Sequence, residues 1–137
     1  MKIFTDGGAR GNPGPAACAF VVFNAAGNIL EKRGKYLGTG TNNEAEYNGV
    51  IEALSYLRSL GDLSNLKASF FLDSLLVVNQ INGLWKIKEP RLRELLMKVR
   101  ELEGALSPVQ ISYSHVPRAQ NKEADLLVNE TLDNHKV

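Results

Sequence analysis

The order of strand-like and helix-like segments constrains this chain more than any other feature of its sequence. Residues 1–6 read as a strand that stops at Gly7-Gly8, and Gly7–Pro15 (GGARGNPGP) is turn chemistry throughout. Ala16–Phe23 (AACAFVVF) is a near-continuous apolar strand, Asn24–Asn28 reads as a hairpin turn around Gly27, and Ile29–Leu37 pairs back as a third strand. Tyr47, Val50, Ile51, Leu54 and Leu57 recur at helical spacing. They mark a helix that starts at Asn42 or Asn43, both good caps, and runs to about Leu60 before Gly61. Leu66–Asp73 is a fourth strand, followed by a short helix and an irregular stretch holding Gly83 and Pro90. Arg91–Glu103 is an amphipathic helix, Pro108–His115 a fifth strand, and Asn121 caps a last helix through about Leu132.

The first three strands can form a meander, whereas the fourth and fifth are reached through helical crossovers and should lie parallel to a neighbour. The expected fold is therefore α/β, a single domain over residues 1–137. Its mixed five-stranded sheet has the first three strands antiparallel and the fourth and fifth parallel to the first, with helices flanking it. The natural order puts the first strand in the middle, beside the fourth.

That arrangement gives meaning to four acids. Asp6 ends the first strand and Asp73 ends the fourth, so both carboxylates emerge at the carboxyl edge where open α/β sheets place ligands. Each alone could be a turn residue at a strand end. Glu46 shares a helix face with Val50, Ala53 and Leu57, while Glu44 and Glu52 lie off it. An acid aimed at the core is costly unless it is paired or binds a metal, whereas Glu44 is well explained by the helix dipole. Asp125 shares a face with Val128 and Leu132 in the same way, and Glu123 is the better dipole acid there. Carboxylates that converge repel one another, and divalent cations resolve the conflict. Oxygen ligands suit Mg²⁺ or Mn²⁺, and the chain has no Cys/His spacing for zinc. Two such ions about 3.5–4 Å apart would clamp a scissile phosphate.

Composition narrows the classes. Hydrophobic residues make up 44% and charged residues 23%, the balance of an ordinary globular protein. No apolar run approaches the roughly 20 residues of a membrane span, and Met1–Asp6 lacks the pattern of a signal peptide. Cys18 is the only cysteine, which excludes an internal disulfide and fits a reducing, cytoplasmic compartment. A net charge of +1 says little about nucleic acid, because a cluster of acids would offset basic residues elsewhere. The glycine-rich loop follows a strand but opens no helix, so it is not a dinucleotide fingerprint.

Four blocks now stand in order: Asp6-Gly7-Gly8-Ala9-Arg10-Gly11-Asn12-Pro13-Gly14-Pro15, Thr41-Asn42-Asn43-Glu44-Ala45-Glu46-Tyr47, Leu72-Asp73-Ser74, and His115-Val116-Pro117-Arg118 with Asn121-Lys122-Glu123-Ala124-Asp125. With these the chain resembles type 1 ribonuclease H over essentially its whole length. The resemblance implies endonucleolytic hydrolysis of the RNA strand of RNA–DNA hybrids by a two-metal-ion mechanism, in removal of RNA primers, R-loops or misincorporated ribonucleotides. It implies that Asp6, Glu46, Asp73 and Asp125 bind Mg²⁺ or Mn²⁺, two ions in the substrate complex. By the same resemblance, His115 is a mobile-loop histidine that assists proton transfer or product release. Gly7, Gly8, Asn12, Thr41, Asn42, Asn43, Ser74 and Arg118 would touch the substrate, and the protein would act as a monomer. Amide side chains and backbone can read the 2′-hydroxyl that only RNA carries. Leu75 stands where bacterial relatives often have glutamine. The substrate handle of some members is reduced here to Trp85, Lys86, Lys88, Arg91 and Arg93.

Other classes compete. A related-fold nuclease would act on junction DNA, against which the Asn42-Asn43 pair and the short loops argue, or on double-stranded RNA, which the sequence leaves open. A metal-binding structural domain without substrate would leave the glycine-rich loop and the paired asparagines unexplained. A non-catalytic hybrid-binding module should lack one of the four acids, and none is missing.

Overall fold

In a computed structural model, residues 1–61, 63 and 65–135 are described. The strands are β1 (Lys2–Ala9), β2 (Gly14–Phe23), β3 (Ile29–Gly40), β4 (Lys67–Leu72) and β5 (Gln110–His115), and the helices are α1 (Asn42–Ser59), α2 (Leu75–Ile81), α3 (Pro90–Ala105) and α4 (Lys122–Asn134). The sheet order is β3-β2-β1-β4-β5, with β1 at the centre. The β1–β2 and β2–β3 pairs are antiparallel, and β4 runs parallel to both β1 and β5, as the crossovers require.

Helices cover both faces of the sheet. Phe20, Tyr47, Leu54, Leu57, Phe70 and Leu72 belong to the larger core cluster, to which α1, α2 and α3 contribute. Ala17 and Ala19 of β2 point the other way and pack with Val128 and Leu132 of α4. This two-sided burial explains why β2 reads as continuous apolar sequence instead of alternating. Each fully buried Phe or Leu contributes about 1.5–3 kcal/mol.

Three local expectations need correction. The segment Gly7–Pro15 is not turn throughout. Strand β1 continues through Gly7, Gly8 and Ala9, paired with Cys18, Ala17 and Ala16, and the turn proper lies between Ala9 and Gly14. Gly7 is there for close approach, since a Cβ on it would fall 2.1 Å from the carbonyl carbon of Ala45 in α1. Helix α1 is capped by Thr41 and not by Asn42 or Asn43. The Glu44 amide donates to Thr41 Oγ1 at 3.2 Å, and the Thr41 amide donates back to Glu44 Oε1 at 3.2 Å. This capping box takes the task that dipole compensation alone would give Glu44. Finally, Asn121 precedes α4 but its side chain makes no capping hydrogen bond among the described residues.

Candidate active site

The site is built at the carboxyl ends of the central strands. In the parallel β1–β4 pair, Phe4 stands opposite Phe71. Two residues further along each strand, the same register sets Asp6 opposite Asp73. Side chains two apart share a face of a strand, so the two carboxylates leave the sheet edge together. Helix α1 brings the third acid. It can approach β1 because Gly7 and Gly49 leave room, a Cβ on Gly49 falling 2.8 Å from the Asp6 carbonyl oxygen. The Gly7 amide then donates to Glu46 Oε1 at 3.1 Å.

Asp6, Glu46 and Asp73 each offer a carboxylate oxygen, and the three oxygens lie within 4.8 Å of one another. Asp6 and Glu46 are buried and Asp73 half-buried. Burial, with the charge of Asp73 nearby, pushes Asp6 up to about 7 even though its hydrogen bond with Glu46 opposes the rise. Burial and that same hydrogen bond hold Glu46 well above the usual carboxylate range. Burial also raises Asp73, against the opposing pull of Asn121 and Arg118. Burial and convergence thus favour the protonated form of these acids over the charged one, relative to separate carboxylates. Glu46 Oε2 is buried and has no partner among the described residues. An unpartnered buried carboxylate oxygen on a residue of an all-oxygen cluster fits a hard divalent cation, which would satisfy it and offset the charge.

The triad opens into a groove of about 460 Å³. Its wall includes Gly7, Gly8, Asn42, Asn43, Ser74, Arg118 and Asp125, so most of the residues expected from sequence lie together. Gly8 faces Asn42 and Val128 only at ordinary contact distance, which leaves its backbone open to the groove. Asn42 holds the rim, since its Oδ1 accepts from the Ala9 amide at 2.8 Å and its own amide donates to Asn12 Oδ1 at 3.0 Å. Ser74 caps α2 by accepting from the Val77 amide at 3.2 Å.

Asp125 is placed differently. It lines the groove in the first turn of α4 but stands outside the close three-carboxylate group, half-buried and 3.4 Å from the Arg118 guanidinium. Its charge still contributes to raising Asp6 and Asp73. Asn12, Thr41 and His115 are not on the groove wall. His115 is the last residue of β5, opposite Leu72 in register, and so closes a strand instead of riding a loop. It sits at the same sheet edge because its strand neighbours the one that ends at Asp73.

Two groove residues were missed in the sequence. Arg10 lines the groove and reaches α4, with a 2.7 Å ion pair to Asp133 and a 3.4 Å hydrogen bond to the Asn129 carbonyl. It lies inside the Asp6–Pro15 block, a signal that was available. Sequence spacing sets Asn129 off the face that Asp125 shares with Val128 and Leu132, yet all four line the groove.

A family model described as reverse transcriptase-like matches residues 4–131. The chain is 41% identical to Ribonuclease HI of Halobacterium salinarum over 134 residues, which covers 97% of this chain and 64% of that protein. Identity is also 41% to Bifunctional protein Rv2228c of Mycobacterium tuberculosis, of which this chain spans 35% of the length. Among solved structures, LC11-RNase H1 in complex with an RNA/DNA hybrid superposes with a TM-score of 0.93 at 42% identity, over 97% of this chain and 96% of that one.

Proposed function

The chain belongs to the type 1 ribonuclease H family, and from that premise we propose that it hydrolyses the RNA strand of RNA–DNA hybrids. Asp6, Glu46, Asp73 and Asp125 hold divalent Mg²⁺ or Mn²⁺, two ions in the substrate complex. The observation that carries this proposal is the meeting of three carboxylates within 4.8 Å at the floor of a groove, one of their oxygens buried without a partner. The solved hybrid complex of LC11-RNase H1 supports the choice of substrate. When bound, the cations supply the positive charge that offsets these acids and the Lewis acidity that phosphodiester hydrolysis needs near neutral pH.

The chain's own residues do the rest. The Gly7 amide fixes Oε1 of Glu46, while Oε2 is buried without a hydrogen-bond partner among the described residues. Gly7 and Gly8 let a substrate strand come close to the backbone of β1. Asn42 and Asn43 on the groove wall, with Thr41 next in sequence and Asn12 bonded to the Asn42 amide, would meet the minor groove, where amide groups can read the 2′-hydroxyl and assign the strand to be cut. Ser74 and Arg118 also line the groove, where a hydroxyl and a guanidinium would meet phosphate oxygens. The exposed imidazole of His115 exchanges the reaction's proton with solvent. No helix among the described residues is long and apolar enough to cross a membrane. We place the protein as a monomer in the cytoplasm, where the single buried thiol of Cys18 stays reduced.

The test offers labelled hybrid, duplex RNA and duplex DNA in parallel, each with Mg²⁺, with Mn²⁺ and with excess chelator. Metal-dependent cleavage of the RNA strand of the hybrid is expected. Cleavage that survives chelation, or that leaves the hybrid whole while cutting another duplex, would overturn the assignment.

A further inference from the structure

Asn121 is 1% exposed, one of the few buried polar side chains of the protein. An asparagine just before a helix ordinarily caps it. Here that task is not performed. Its backbone sits at φ −116°, ψ 28°, and its side chain makes no capping hydrogen bond among the described residues. Instead Nδ2 crosses to the centre of the sheet and donates to the carbonyl oxygen of Thr5 at 2.8 Å, a bond spanning 116 positions of sequence. The same side chain is the chief group opposing the rise of Asp73. Its backbone carbonyl accepts from the Asp125 amide at 3.1 Å, closing the first turn of α4. Its Oδ1 is buried with no partner among the described residues. Packing alone would be served as well by an apolar side chain of that size, without carrying a bare amide oxygen.

We propose that Asn121 is the positioning residue of the metal site: it ties the start of α4 to β1 at the residue before Asp6, and so sets where Asp125 stands against Asp6 and Asp73. This rests on the proposed metal-binding role of those acids. The residue does not line the groove. It acts through the backbone of Thr5, through its side-chain contact with Asp73 and through the first turn of α4, as outer-shell groups fix the ligands of a metal.

The test is Mn²⁺ binding to N121A and N121S by calorimetry, without substrate, beside hybrid affinity measured in excess chelator. Mn²⁺ affinity is expected to fall about 10–100-fold, the usual cost of losing an outer-shell partner, while metal-free affinity for the hybrid stays within twofold of the unaltered protein. Cleavage should then be recovered in part at high Mn²⁺. Mn²⁺ affinity within twofold of the unaltered protein would overturn the proposal and leave the metal site standing. Equal losses of metal and hybrid affinity would also overturn it, since they describe general loosening. So would failure of both variants to give the native circular dichroism spectrum, because Asn121 would then serve the fold. If the unaltered protein binds no Mn²⁺, the metal site falls and this role falls with it.

Discussion

Asp6 and Glu46 stand on β1 and α1, and Asp73 just past β4, at the centre of the sheet, whereas Asp125, Arg118 and His115 come from α4, the turn before it and the edge strand β5. The first three are held by a central strand register, by two glycines that admit α1, and by the Gly7 amide. Among the second three, Arg118 and His115 are exposed, and Asp125 touches Arg118 across 3.4 Å, the geometry of a weak surface ion pair. One half of the site is largely buried and short of counter-charge, and the other half is more exposed and carries Arg118 as a counter-charge beside Asp125. The difference teaches that the buried half carries the demand for a cation, while the outer half can adjust to metal and substrate at little cost.

Breaking the buried half should have the largest effect. Asp73→Asn removes a ligand and its charge while keeping the shape, and hydrolysis of hybrid should fall by ~10³-fold or more. The circular dichroism spectrum and melting curve should remain native. Substantial activity in that variant would place the chemistry elsewhere.

The pH dependence of stability sharpens the same contrast. Asp6 and Glu46 are raised in the folded protein above their values in the unfolded chain. The folded state therefore binds more protons, and the stability this gives is full below the unfolded carboxylate range and lost as pH rises toward and through about 7. In chelator, the stability should fall between pH 5 and pH 8 by on the order of 1–3 kcal/mol, read as a lower melting temperature at the higher pH. Glu46→Gln should flatten that slope and stabilise the metal-free protein while abolishing cleavage. A slope unchanged in Glu46→Gln would mean the proton is not held there.

Asp125→Asn tests the outer half. Cleavage should drop only about 10–100-fold, and raised Mn²⁺ should restore much of it, because the inner three oxygens remain. A loss as large as that of Asp73→Asn, without rescue, would erase the distinction between the two halves.

The smallest effect belongs to Glu44→Gln. Glutamine can still complete the capping box with Thr41, and the lost 3.3 Å ion pair with Arg91 is exposed on the arginine side. Cleavage should change less than twofold and stability by about 0.5 kcal/mol. A loss matching that of Glu46→Gln would show that facing the core is not what separates the two glutamates.

Element order, strand directions and the central place of β1 were legible in the sequence, because apolar period and crossover handedness are local and topological rules. So were Asp73 as an acid at the end of β4 and Glu46 as an acid on an apolar helix face, whereas Asp6, expected to end the first strand, lies within β1, which runs on to Ala9. Cap chemistry was less legible. Thr41, Asn42 and Asn43 are all competent caps by type, and only the reach of Glu44 back to the Thr41 amide chose between them. The strand character of Gly7–Ala9 was hidden as well, since glycine is written the same way for a turn as for a close helix crossing.

By itself the sequence determined which side chains could bind a cation and which edge of the sheet would carry them, since residue type and strand polarity suffice for both. Tertiary structure alone decided that three of the four acids meet within 4.8 Å while Asp125 stands apart beside Arg118. It also decided that Asn121 spends its amide on Thr5 and not on its own helix. The physical reason is distance along the chain. Contacts spanning tens of residues depend on how helices pack across the sheet, and no local propensity encodes where a side chain ends once that packing is complete.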